Sequence, residues 1–145
     1  MPSDVTDVEA VAEAFRLAPD PHEGWSRQTD HVPGRLRAFL YLLEAGGFAP
    51  WHRVPADVIW TWEDGGACAL SRSPDGQAAD AVHLGGTSGL MRWARVPEGH
   101  YQSLEPLGAW SLLRATYVPD AALTDRRLTP EDWFPGQDQR QRGSR

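Results

Sequence analysis

The chain contains no lysine: its 14 basic residues are all arginine. That excludes Schiff-base chemistry and the phosphate-gripping lysine of a P-loop. Cysteine is almost as scarce. Cys68 is the single one, so no disulfide can form within the chain. A reducing cytoplasm is the expected setting. Lying in the apolar run ACAL, Cys68 reads as a small buried filler rather than a nucleophile. Positive charge is in deficit, with 14 basic against 20 acidic residues and a net charge of −6. This balance argues against a nucleic-acid backbone or an anionic membrane as partner. No apolar run approaches membrane-spanning length. The start, MPSDVTDVEA, lacks the basic and apolar regions of a signal peptide. The expectation is a soluble cytoplasmic protein. Glycine pairs at 46–47, 65–66 and 85–86 sit at turns, and none fits a phosphate-binding fingerprint.

Tryptophan is abundant. There are seven: Trp25, Trp51, Trp60, Trp62, Trp93, Trp110 and Trp133. They can build an apolar wall with a few N–H donors, or simply fill a core. A length of 145 residues suits one domain with one core.

Residues 4–16 carry Val5, Val8, Val11, Ala12 and Phe15 at helical spacing, which predicts a short N-terminal helix. The next stretch, LAPDPHEGWSRQT, reads as an extended lead-in. Strands are predicted at 36–45, 48–54, 57–62, 67–72, 80–84, 90–96, 100–104 and 110–118. Most of them end at a turn signal such as EDGG, SPDG or PEG. A helical turn is expected at TPEDWF. Short strands at close spacing, with no long helix between them, predict an all-β sandwich or barrel and exclude a βαβ architecture. The organisation read from this is a helix over 1–16 packed on a barrel over 17–135, with a disordered polar tail over 136–145.

Three motifs follow one another along the chain. They are Pro19-Asp20-Pro21-His22-Glu23-Gly24-Trp25, then the run from Trp51-His52-Arg53 to Asp57-Val58-Ile59-Trp60, then Val96-Pro97-Glu98-Gly99-His100-Tyr101-Gln102. Their order resembles a branch of small bacterial cupins with a PHPEGG-like lead-in and a WHR…DEIWH-like first motif. The resemblance runs from about Phe15 to Pro135. It implies a cupin jelly-roll barrel, commonly a homodimer, with a pocket inside. It also implies where cupin metal ligands would stand: His52, Val54, Val58 and Gln102. Of these only His52 is a good ligand. The first expectation is therefore that no cofactor is required. A divalent zinc, nickel or iron ion at His52 and Gln102, helped by His100 or a shifted Asp57, is the secondary reading.

Under the resemblance His52 points into the barrel, as a general base or acid, a metal ligand, or an imidazole held only by hydrogen bonds. Gln102, a tyrosine, or a metal if present would hold an enolate oxygen. Glu23 reads as a second acid/base group or as an anchor of the lead-in. Trp60 and Trp62 share the face of Val58 and would stack on a flat substrate, with Trp51 in the same aromatic wall. Tyr41 and Tyr101 are candidate phenol donors, and alternation groups His100 with Gln102. Arg27 and Arg53 could hold a carboxylate or phosphate, or form surface ion pairs, with Arg53 facing away from His52. His22, His31 and His83 read as solvent-facing. The leading functional reading is an isomerase or epimerase acting next to a carbonyl, on an aromatic or apolar small molecule of secondary metabolism. A cyclase working by shape and a non-catalytic ligand-binding barrel are the alternatives.

Overall fold

The computed structural model describes residues 7–20, 24–46, 49–121, 125–130 and 132–136. Helix α1 spans Val8–Ala14. It starts where Asp7 can cap it: the carboxylate accepts from the backbone N–H of Glu9 at 3.0 Å and of Ala10 at 3.3 Å. The chain leaves the helix through Arg16, at φ 58°. Val8, Val11 and Ala12 face Leu40, Leu42, Trp110 and Leu112, so the helical stripe does what its spacing predicted. Positions 4–6 of the expected helix lie outside the described residues.

Eleven strands follow among the described residues: β1 Ala18–Pro19, β2 Trp25–Val32, β3 Leu36–Glu44, β4 Ala49–Arg53, β5 Asp57–Gly65, β6 Cys68–Ser73, β7 Asp80–Leu84, β8 Trp93–Val96, β9 Tyr101–Pro106, β10 Trp110–Val118 and β11 Arg127–Leu128. They form two antiparallel sheets, ordered β1-β2-β3-β10-β5-β8 and β11-β4-β9-β6-β7. This is an all-β jelly roll with one short helix. The sheets face each other across a core of Phe39, Leu43, Val54, Val58, Leu70, Leu104 and Leu113, with Tyr41, Trp60 and Tyr117. Burial of each large aliphatic side chain there contributes about 1.5–3 kcal/mol.

Strand β3 is apolar almost throughout because both of its faces are covered. Phe39, Tyr41 and Leu43 enter the core between the sheets, while Leu40 and Leu42 meet α1. The lead-in is more ordered than the sequence suggested. Trp25–Val32 is a strand paired along most of its length with β3. Its side chains are half-buried or exposed, so it carries no apolar period. The two residues of β11, outside the strands expected from sequence, pair with β4 and place Leu128 opposite His52. At the β5–β6 turn Gly65 takes φ 84°, and a Cβ there would lie 2.5 Å from the Trp110 ring.

Candidate functional site

Strands β4 and β9 make His52 and Gln102 register partners. Both side chains point between the sheets, at 3% and 1% exposure. Trp60 reaches Gln102 from β5 of the opposite sheet, its indole Nε1–H donating to Gln102 Oε1 at 2.7 Å. The indole can only donate, so the amide is oriented with oxygen toward Trp60. Gln102 Nε2 then has no hydrogen-bond partner among the described residues. His52 Nδ1 lies 2.8 Å from the carbonyl oxygen of Pro50. A carbonyl can only accept, so Nδ1 carries the proton and Nε2 is the nitrogen able to take another.

Tyr41 packs on Trp60 with ring centroids 5.9 Å apart. Burial pushes its phenol well above the ordinary tyrosine value. The Asp20 carboxylate adds to the rise, and Arg126 opposes it by charge and by hydrogen bond. The phenol of Tyr117 is pushed up to about 12, again chiefly by burial. Arg126 Nη2 donates to Asp20 Oδ1 at 2.9 Å. Their side chains are 5% and 0% exposed. Ser26, Phe39, Tyr41, Trp60, Ala115, Tyr117 and Arg126 line a cleft of ≈ 10 Å³, room for about one water. The interior is thus nearly filled by side chains, where the sequence suggested an open, Trp-lined pocket.

Four predicted residues are buried between the sheets: Tyr41 and Trp60 line this cleft, and Gln102, bonded to Trp60, and its register partner His52 lie outside its lining. Others stand elsewhere. Trp62 packs against the core edge, its Nε1–H donates to Gly66 O at 3.1 Å, and Arg92 lies over its ring. Trp62 is therefore absent from the cleft lining. Trp51 and Tyr101 neighbour His52 and Gln102 along their strands, so alternation turns them to the outer face. There Trp133 stacks on Tyr101 at 4.7 Å and meets Trp51 edge-on at 5.9 Å. Arg53 covers the other aromatic partner, Tyr101, at 4.8 Å.

His100 is not a face-mate of Gln102. It precedes β9, its N–H bonds to Pro97 O in the turn, and its side chain lines a rim groove with Arg72, Asp80 and Arg95. Arg27 holds the end of α1, donating from Nε to Phe15 O at 2.8 Å. Asp57 turns outward, accepting from Glu98 N and from Arg95, and these bonds lower its pKa. His31 meets Asp120 at 2.8 Å. Glu23 and His22 lie outside the described residues. Cys68 is buried, and burial pushes its thiol up to about 12, as suits a filler. Sequence reasoning missed Asp20, Ser26, Tyr117 and Arg126. Tyr117 had a signal, since it alternates in step with Leu113 and Ala115 on β10.

The residues at the expected metal positions do not fit a tightly held ion. Val54 and Val58 are buried apolar side chains, and the oxygen of Gln102 is already engaged by Trp60. Among the described residues, no three of His, Cys, Asp and Glu stand together as a ligand group.

No curated protein matches the sequence. Solved structures do match in shape. A protein from Shewanella oneidensis superposes with a TM-score of 0.73 at 21% identity over 83% of each chain. A hypothetical protein from Leishmania major gives 0.77 at 15% identity, over 86% of this chain and 88% of that one. Oxalate decarboxylase gives 0.63 at 11% identity, over 79% of this chain and 31% of that one. At these identities the likeness shows the fold alone. The sequence itself carries the family pattern from residue 9 to residue 129, and the chain belongs to the Cupin_5 family (DUF985) of the cupin superfamily.

Proposed function

We propose that the chain is a small-molecule isomerase or epimerase that moves a proton at a carbon next to a carbonyl, inside the barrel. The observation that carries this reading is the paired His52 and Gln102. One presents a basic nitrogen fixed by the Pro50 carbonyl, the other a buried amide N–H₂ with no acceptor among the described residues. His52 Nε2 takes the proton from carbon, and Gln102 donates to the oxygen that becomes an enolate. The proton returns from His52 or from the buried phenol of Tyr41, which packs on Trp60. Glu23 is a further candidate for that return, tested by Glu23→Gln. Phe39, Trp60 and Tyr117 favour an aromatic or apolar substrate, which enters as the Arg126 side chain withdraws from the cleft. Likeness to oxalate decarboxylase supports an enzymatic role by analogy of fold only.

The test is solvent deuterium exchange into an aromatic ketone with an acidic carbon, phenylacetone, followed by NMR. Exchange with the wild type should exceed that with His52→Ala by about 10²–10⁴-fold, the usual span of general acid–base catalysis. Equal rates sink the proposal. A second reading, a non-catalytic binding barrel, draws support from the narrow cleft. It expects the ketone to raise the melting temperature with no exchange. We extend the proposal to a cytoplasmic homodimer without nucleic-acid or membrane partners. Exposed Met91 and Trp93, at 55% and 56%, support self-association, and sedimentation at micromolar concentration checks it. Among the described residues no helix is long and apolar enough to cross a membrane.

A further inference from the structure

We infer that the barrel centre is built to bind an acceptor oxygen and to refuse a divalent cation, with the Gln102 amide, held by Trp60, standing where metal ligands would converge. The inference does not depend on proton transfer, because it concerns which atom the centre binds.

Three observations carry it. First, a cation at the four corresponding positions would meet one imidazole, His52, and the buried isopropyl groups of Val54 and Val58. A divalent ion stripped of water there has too few replacements. Second, Gln102 cannot supply the missing oxygen. Its Oε1 already accepts the Trp60 indole N–H at 2.7 Å. Turning the amide over would set N–H₂ against N–H, donor against donor, between two buried side chains. Third, the resulting orientation leaves Nε2 buried and without an acceptor among the described residues. A buried donor left in that state costs stability, and an acceptor oxygen arriving with a ligand would relieve that cost. The Trp60–Gln102 bond also joins β5 of one sheet to β9 of the other, a tie across the barrel that needs no ion. Trp60 is in this scheme a positioning residue, and Gln102 the binding group.

Two measurements on the full-length, untagged protein test this. The first follows metal content after dialysis against a chelator, and melting temperature with and without Zn²⁺, Ni²⁺ or Mn²⁺. The wild type should keep less than about 0.1 equivalent of metal and shift by less than about 1 °C, the response of a protein without a site. Retention of stoichiometric metal, or a clear rise with any of the three ions, overturns the inference. The double variant Val58→Glu/Gln102→His should instead gain a metal-dependent rise of about 5 °C or more. If it folds only when Zn²⁺ is added, that recovery counts as the same gain. No gain in either form overturns the assignment of the exclusion to these two residues. The second measurement titrates acetophenone while the side-chain amide signal absent from Gln102→Leu is followed by ¹⁵N NMR. That signal should move in the wild type, and a signal that stays fixed overturns the donor assignment. A metal-free, ketone-binding protein that fails to exchange deuterium would sink the isomerase proposal and leave this inference standing. An exchanging protein with a tightly held metal would do the reverse.

Discussion

Removing the charge of Asp20 tests how the cleft is closed. Asp20 and Arg126 form the most deeply buried ion pair among the described residues, at 2.9 Å. They are 106 positions apart, so the pair fastens the lead-in after β1 to the segment before β11. A buried pair taken as a whole is close to neutral for stability, because desolvation offsets the attraction. Removal of one partner is different, since it leaves the other charge buried and uncompensated, at a cost of about 3–5 kcal/mol. For a domain of this size each kcal/mol lowers the melting temperature by about 2–4 °C. Asp20→Ala should therefore melt about 10 °C lower, within a span of ~6–20 °C. Arg126→Met should cost a similar amount, and the double variant less than the sum of the two.

Tyr41 supplies an independent readout of the same pair. Asp20 raises the pKa of its phenol and Arg126 lowers it. Loss of Asp20 should let phenolate appear at lower pH, and loss of Arg126 at higher pH, followed by absorbance at 295 nm. Strict additivity of the melting shifts, or tyrosinate appearing at higher pH without Asp20 or at lower pH without Arg126, would refute the coupling.

The other expectations follow from single contacts. Trp60→Phe leaves Gln102 Oε1 buried without its donor, which should cost about 1–3 kcal/mol by denaturant titration. Gly65→Ala combines φ 84° with a Cβ 2.5 Å from the Trp110 ring, and should cost about 2 kcal/mol or more. Arg27→Ala removes the bond to Phe15 O and should cost about 1 kcal/mol, with no change in deuterium exchange. Stability should also fall in alkali. Tyr117 and Cys68 have folded pKa values raised to about 12, above their ordinary values of 10.0 and 9.0. The folded chain then keeps protons that the unfolded chain releases, so this contribution is intact below about pH 9 and is lost as pH rises to about 12. Tyr117 alone accounts for about 3 kcal/mol of that loss, from its two-unit rise. Urea midpoints at pH 8 and pH 11 check it, and equal midpoints would contradict the assignment.

Which of these features could be read from the chain follows from the range of the interactions. Alternation is local, and it correctly put Val58 and Trp60 on one inner face of β5. The same rule sends Trp51 and Tyr101 outward, because each is the immediate neighbour of an inward residue. Grouping them with the pocket gave aromatic character priority over strand period. His100 shows the opposite error, alternation carried one residue past the end of a strand. Gly99, at φ 79°, is already a turn, and the period begins only at Tyr101. Strand β2 was legible only as part of an extended lead-in, because polar side chains at the rim of a sheet carry no apolar period, although its backbone pairs along β3.

The closure of the cleft belongs to another category. Nothing near Arg126 in sequence distinguishes it from the other arginines, and nothing near Asp20 marks a buried carboxylate. Their meeting depends on β11 pairing beside His52 and on β1 pairing with β2, two-residue strands with no legible pattern. His52, Trp60 and Gln102 were therefore visible in the motifs, since each sits on a strand with one buried face, where one slipped residue would turn it outward. The lid residues are fixed only by tertiary contacts. The cleft beside Trp60 is nearly filled because Arg126, held by Asp20, lines it together with Tyr41 and Tyr117. The proposed reaction therefore has two requirements that the motifs do not carry: an oxygen to meet the Gln102 amide, and movement of Arg126 away from the cleft it lines.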